Sequence, residues 1–492
     1  MLRIWASGRN EGARHIRHMM TRNVSWEGGT IVATLTVLML AGALITIQPV
    51  SVAYIVLGLT GGWALLLGIV WYRQRRLAVT SVPLDKAHLP RLLILWVAVI
   101  GFAVDEDLTF DARTSLSDYV LPFLVFAALG LARKQNMPFV PPRAKPWMFL
   151  VVWINAIALV LGAWRVGSMT VQIVLATLIG VIVSYAIVCA VYSAVSDIES
   201  VEHVILALIV TGSIWNLVNL IPYLFAGGGR LNGTLLNAGA TGNFASVIWI
   251  CQLAYLMSVK NGRWRLLGAL NLLLLSATIL FSGARGAWVA MMLVLPFMLL
   301  LFANARMRAQ GVLMLGLLVL SGSLLLPWLD AQGRLAPVWE RFNLERGITS
   351  RVVTSKTNLE LWASSPITML TGIGTGVFRQ QYAFTQGAAG SEHNTYISLL
   401  VNQGPVGLIG WLAVLFVAWR GVWVLRHTIP VEHRWLLSAV LFSLLAVLVE
   451  GVPRDISNQR FLWLLVGLAL AMGDKLQRNS SPRVRQSQEL SV

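Results

Sequence analysis

The chain has 492 residues, of which 57% are hydrophobic and 12% charged, and its mean hydropathy is +0.72. A soluble domain carries about twice that share of charge, so a water-soluble globular protein is excluded. The net charge of +17 does not mark a nucleic-acid-binding protein. Its basic residues cluster in short segments between apolar runs, the pattern of the positive-inside rule and of attraction to anionic headgroups.

The first 30 residues carry Arg3, Arg9, Arg14, Arg17 and Arg22, ahead of an apolar run from Ile31 to Ile47. That run resembles the apolar region of a signal peptide, but a small-residue cleavage site is missing and further runs follow. It reads as a retained first span with a cytoplasmic N-terminus. Further apolar runs cover 51–72, 90–104, 116–132, 147–164, 170–193, 203–225, 240–259, 264–281, 286–303, 311–328, 394–419, 435–449 and 461–473. Such runs suit helices crossing about 30 Å of hydrocarbon, and they lack the alternation of outer-membrane strands. The expected fold class is an all-α polytopic integral membrane protein with about 12–14 transmembrane helices, the lower figure allowing for half-spans. Arg73, Arg75 and Arg76, then Arg133, Lys134, Arg143 and Lys145, then Lys260, Arg263 and Arg265, then Arg306 and Arg308, fall on the inner side in this count. The connection 194–202 is also assigned inside, yet it has no Lys or Arg.

This threading divides the chain into a basic cytoplasmic segment (1–30), a transmembrane bundle (31–328), a long loop (329–393), further transmembrane helices (394–473) and a basic cytoplasmic tail (474–492). The long loop lies outside by this count and is expected to hold short helices. Thr349 or Ser350 suits the cap of a helix beginning at Arg351, which Pro366 would end. Gly372-Ile-Gly-Thr-Gly376 would then form a tight turn, and Trp328, Trp339 and Trp362 suit the headgroup region. A loop of this length with its own helices usually carries function.

His393 is the only histidine that the topology places outside, at the entry to the next span in Ser391-Glu-His-Asn-Thr-Tyr. A helix N-terminus keeps an imidazole neutral and competent as a base; the alternative is a histidine that only hydrogen-bonds at an interfacial helix start. Arg285 stands in Ser282-Gly-Ala-Arg-Gly-Ala-Trp288, where free backbone N–H groups and a positive helix end suit phosphate; the alternative is an arginine snorkelling to the interface. Arg230 follows three glycines in an irregular segment, either covered by protein or an ordinary loop. Arg351 is a further anion contact or a solvated helix residue. Cys189 and Cys251 lie inside apolar runs and read as packing residues. Gly372-x-Gly-x-Gly follows no strand, so it is no dinucleotide fingerprint. No His or Cys pair has metal spacing, and no cofactor is expected.

In order along the chain stand Arg230-Leu-Asn-Gly-Thr with Asn237, Ser282-Gly-Ala-Arg-Gly-Ala-Trp288, Gly372-Ile-Gly-Thr-Gly-Val-Phe378, and His393-Asn394-Thr-Tyr with Gly407. This arrangement resembles the O-antigen ligase and polymerase superfamily over roughly residues 225 to 410, with the ligases nearest. The resemblance implies a metal-independent, inverting membrane glycosyltransferase of GT-C-like type. It would take a glycan from undecaprenyl diphosphate and place it on a sugar hydroxyl of lipid A–core at the periplasmic face. It implies catalytic roles for His393 and Arg285, and substrate contacts by Arg230, Arg285, Arg351 and Asn394. The chain has Gly-Ala before Arg285 where the family more often has a serine. An O-antigen polymerase or a protein O-oligosaccharyltransferase would use the same donor, and a lipid or glycan transporter is the reading from a different class.

Overall fold

The computed structural model describes residues 88–102, 116–166, 171–226, 230–235, 237–259, 261–301, 305–333, 335–336, 339, 344–378 and 394–477. The spans expected at 31–48 and 51–72 lie outside the described residues, as does His393. All of the regular structure described is helical. In chain order the helices are α1 His88–Val99, α2 Leu116–Lys134, α3 Lys145–Val166, α4 Val171–Ala194, α5 Ile198–Ala226, α6 Ala238–Ser258 and α7 Gly262–Ser282. They continue with α8 Arg285–Leu301, α9 Ala305–Ala331, α10 Leu344–Trp362, α11 Pro366–Thr371, α12 Thr395–Leu425, α13 Arg434–Glu450 and α14 Arg460–Ala471. Each apolar run expected from 90–104 onward falls on one of them.

Among the described residues, seven helices are long and apolar enough to cross a membrane, and three shorter apolar helices accompany them. Exposed faces bear Trp153, Val160 and Trp164 on α3, Met292 and Phe297 on α8, and Val319 and Leu324 on α9. Apolar surface of that extent is untenable in water and suits lipid. The chain is an all-α polytopic membrane protein. At its centre is α6, with 89% of its apolar stretch buried. Its opening Ala-Gly-Ala-Thr-Gly-Asn-Phe-Ala-Ser run has the small residues that let helices approach closely without water.

Several buried polar side chains of the bundle pair with one another across helices, as a low-dielectric interior favours. Asn155 on α3 exchanges hydrogen bonds with Gln403 on α12, and Thr278 on α7 donates to Asn216 on α5 at 2.5 Å. Asp118 on α2 takes a two-pronged ion pair from Arg460 on α14. The connection 195–197 borrows its cation from afar. Lys475 donates to the Val195 carbonyl at 2.6 Å and to that of Tyr192, so a basic side chain stands at a connection that has none of its own. Beside it, Arg143 pairs with the buried Asp474 at 3.0 Å. Burial brings the Lys475 ammonium down to about 8, against the opposing pull of Asp474 and Asp197.

The long loop departs from expectation in three places. Helix α10 begins at Leu344, so Thr349 and Ser350 are interior residues and not caps. The helix stops at Trp362, and Pro366 opens α11 instead of ending α10. There Ser365 and Thr368 form a capping box with the proline at the first helical position. Finally, Trp362 is not an interfacial anchor, because it packs against the buried cluster of Ile373, Val377, Phe378 and Val401. Trp328 and Trp339 do remain about half exposed.

Gly372-Ile-Gly-Thr-Gly376 runs against a break in α12. Pro405 lacks an N–H, so it orphans the carbonyl four residues earlier, at Val401. Ile373 N–H donates to that carbonyl at 2.8 Å, Gly374 N–H donates to Asn402 O, and Thr375 N–H donates to Ala158 O on α3. Gly372, Gly374, Gly376 and Gly404 all hold positive φ. The motif is a backbone junction that seats the long loop on the bundle.

Candidate active site

Three helix N-termini meet at one end of the bundle. Asn237 caps α6, accepting from Ala240 N at 3.0 Å. Arg285 opens α8 after the left-handed turn at Gly283, and Asn394 caps α12, accepting from Tyr396 N and Ile397 N. N-terminal ends carry unpaired N–H groups and partial positive charge, so their convergence favours an anion.

The connection between α13 and α14 holds the three ends together. Arg454 Nη2 donates to the Asn237 side chain at 3.0 Å. Pro453 packs on the first turn of α8, its Cγ 3.0 Å from where a Cβ on Gly286 would stand. Thr395, the first residue of α12, donates its N–H to Gly451 O and its hydroxyl to Arg454 O, and accepts from Ile456 N. Below lies the buried Glu450, which accepts from Ser246 on α6 at 2.9 Å.

Arg285 is part-buried, and its Nη1 has under 1 Å² of accessible area and no hydrogen-bond partner among the described residues. A guanidinium does not lose its proton in a protein. A buried, unmatched guanidinium nitrogen is costly unless an anion meets it. Arg230 is employed differently. Its Nε and Nη2 both donate to the Ser282 carbonyl, at 3.0 and 2.9 Å, while Leu231 N–H bonds Phe281 O. Arg230 therefore braces the C-terminus of α7 and the turn that carries Arg285.

Asn394 spends its side-chain oxygen on the helix cap. Arg351 lies in α10, with its side chain outside the described set, and His393 is the residue immediately before the cap. A cleft of about 790 Å³ opens beside this end, with Val352, Leu359 and Ala363 of α10, Lys356, Glu360 and Pro453 in its lining. The sequence reading thus brought Arg230, Arg285 and Asn394 to one place and missed Arg454, Pro453 and Glu450. The signal available for these was Glu450-Gly-Val-Pro-Arg-Asp455, a charged connection between two apolar runs. Among the described residues, no group of three or more His, Cys, Asp or Glu is placed to hold a metal ion; Cys189 and Cys251 are buried and unpaired.

In this polytopic helical bundle an unmatched guanidinium nitrogen stands where helix N-termini converge, an arrangement that suits an anionic group. Residues 270–412 match the O-antigen ligase family (Wzy_C), a likeness over part of the chain that does not separate ligase from polymerase. No curated protein matches the chain. The matched segment includes Arg285, the Gly372–Gly376 junction and His393-Asn394; it leaves out Arg230, Asn237, Glu450 and Arg454.

Proposed function

We propose that the protein is an O-antigen ligase that moves a glycan from undecaprenyl diphosphate to a sugar hydroxyl of lipid A–core, at the periplasmic face of the inner membrane. The buried, unmatched Nη1 of Arg285 carries this reading. A diphosphate leaving group accumulates negative charge as the glycosidic bond breaks, and a preorganised guanidinium stabilises that charge most where water is excluded. Helix ends of α6 and α8 add oriented N–H dipoles. Arg230 serves this site by fixing the turn before Arg285, and Arg351 would reach donor phosphate or glycan from α10.

His393 acts as the general base. The acceptor hydroxyl is a weak nucleophile until its proton has somewhere to go, and a placed imidazole contributes about 10²–10⁴-fold. Attack at the anomeric carbon opposite the departing diphosphate inverts the configuration. The cleft beside α10 suits the acceptor, because Val352 and Leu359 offer apolar surface to sugar faces while Lys356 and Glu360 offer hydrogen bonds.

The test reconstitutes transfer with purified protein, lipid-linked donor and lipid A–core. Arg285→Ala should lose most transfer and weaken donor binding, and His393→Ala should lose transfer while still binding donor. Normal transfer by either variant removes that residue from the chemistry. In cells lacking the protein, a ligase predicts accumulation of polymerised lipid-linked donor with no long glycan on lipid A–core. Core bearing a single repeat unit would instead make this protein the polymerase.

A further inference from the structure

The turn between α13 and α14 lies beyond the matched family segment, yet it grips the start of α12 more closely than helix capping requires. Asn394 already satisfies the first N–H groups of α12. Thr395 adds three more bonds, all to residues 451–456. Its N–H reaches Gly451 O at 2.9 Å, its hydroxyl reaches Arg454 O at 2.8 Å, and the same hydroxyl accepts Ile456 N–H at 2.9 Å. The side chain is fully buried. One residue on, Tyr396 donates its hydroxyl to Leu448 O at 2.6 Å.

The same turn touches the other two helix ends. Pro453 rests on Gly286, next to Arg285, and Arg454 holds the α6 cap Asn237. One short connection thereby fixes the entry of α12 relative to the entry of α8. The chain enters α12 through His393, two positions before Thr395. A hydroxyl that both donates and accepts defines one rotation of that entry, which a cap alone does not.

We propose that Thr395 is a positioning residue for transfer, bolting the entry of α12 to the 451–456 turn and, through Pro453 on Gly286, to the Arg285 end of α8. This rests on the reading of His393 as the base. Thr395 is fully buried and has no surface to offer a donor, so its loss should act chiefly on the chemical step. Misplacing a reacting group by about 1 Å can cost about 100-fold.

The experiment compares Thr395→Val, which keeps the shape and removes the hydroxyl, with Thr395→Ser, which keeps the hydroxyl. Both are purified in detergent and assayed with lipid-linked donor and lipid A–core. Thr395→Val should lower kcat about 10- to 100-fold with donor KM changed less than about 2-fold, and Thr395→Ser should recover to within about 3-fold of wild type. Unchanged kcat in Thr395→Val overturns the proposal, and so does equal impairment of the serine variant with donor binding lost, which marks a scaffold residue only. Should Thr395→Val fail to accumulate, Tyr396→Phe probes the same clamp: a smaller fall in kcat at constant donor KM is expected, and an unchanged kcat overturns the proposal. His393→Ala run alongside separates the two ideas. An active His393→Ala defeats the base reading and with it this proposal, whereas an inactive His393→Ala beside a fully active Thr395→Val defeats the positioning role alone.

Discussion

Replacing Gly404 by alanine tests the backbone junction that seats the long loop. Gly404 holds φ 71° and ψ −179° within α12, a region that only glycine occupies readily, and forcing another residue there costs about 1–3 kcal/mol. The added Cβ would stand 2.3 Å from Leu370 O and 3.0 Å from Gly372 N. These are backbone atoms and cannot swing aside like a side-chain tip, so overpacking adds about 1–3 kcal/mol. Together the terms give about 2–6 kcal/mol, a large part of a typical total of about 5–15. Thermal unfolding of the detergent-purified protein should shift down by many degrees, and hydrogen exchange at Ile373, whose N–H bonds Val401 O, should rise. Gly316→Ala is the control, since nothing stands within 4 Å of its added Cβ; it should be neutral or slightly stabilising. A Gly404→Ala protein that melts with wild type would refute the reasoning, because both terms would have to be absorbed without cost.

Other outcomes can be checked beside it. Arg285→Lys should restore only part of the transfer lost in Arg285→Ala, measured on purified components, since lysine keeps the charge but not the planar fork. Asp118→Asn should lower the melting temperature through loss of up to about 3–5 kcal/mol, because it leaves Arg460 in a part-buried site without its counter-charge, whereas an apolar pair at both positions should recover much of it. The Lys475 ammonium sits at about 8 in the folded protein against an ordinary 10.5. The unfolded chain therefore holds more protons between those values, its stability relative to the folded form falls, and detergent melting temperature should climb from pH 8 toward 10.5 through this group; Lys475→Met should remove that climb. A cysteine placed near Ala388 should react with a membrane-impermeant thiol reagent in spheroplasts and one near Arg306 should not; the reverse labelling sinks the proposed orientation.

The helices were legible in the sequence because lipid imposes a simple rule: about 20 apolar residues per crossing, with basic residues between. Local chemistry was harder to read. The helix start at Leu344 was hidden by Thr349 and Ser350, since hydroxyl residues serve both as caps and as interior positions whose neighbours decide. Gly372-Ile-Gly-Thr-Gly376 showed that the backbone does something unusual, but not that its N–H groups answer a carbonyl freed by Pro405. At the site, Arg285 was visible from its glycine-flanked motif. Arg454 was not, because its contact with Asn237 joins positions 217 residues apart, and no local pattern encodes such a meeting. Arg230 was visible as important, while its employment as a brace on the Ser282 carbonyl required the fold.

The turn at 451–456 also bears on how the protein is made. Helices enter a membrane in the order of synthesis, and this turn arrives with the hairpin of α13 and α14, after the starts of α6, α8 and α12 that it touches. A nascent chain that has reached Leu425 already possesses Arg285, the capped start of α12 and the glycine junction. It still lacks the partners of Thr395 and the guanidinium that holds Asn237. The end of the bundle where the three helix N-termini meet is then still unassembled. A chain truncated just before α13 should therefore embed in the membrane yet, on the proposed function, show no transfer.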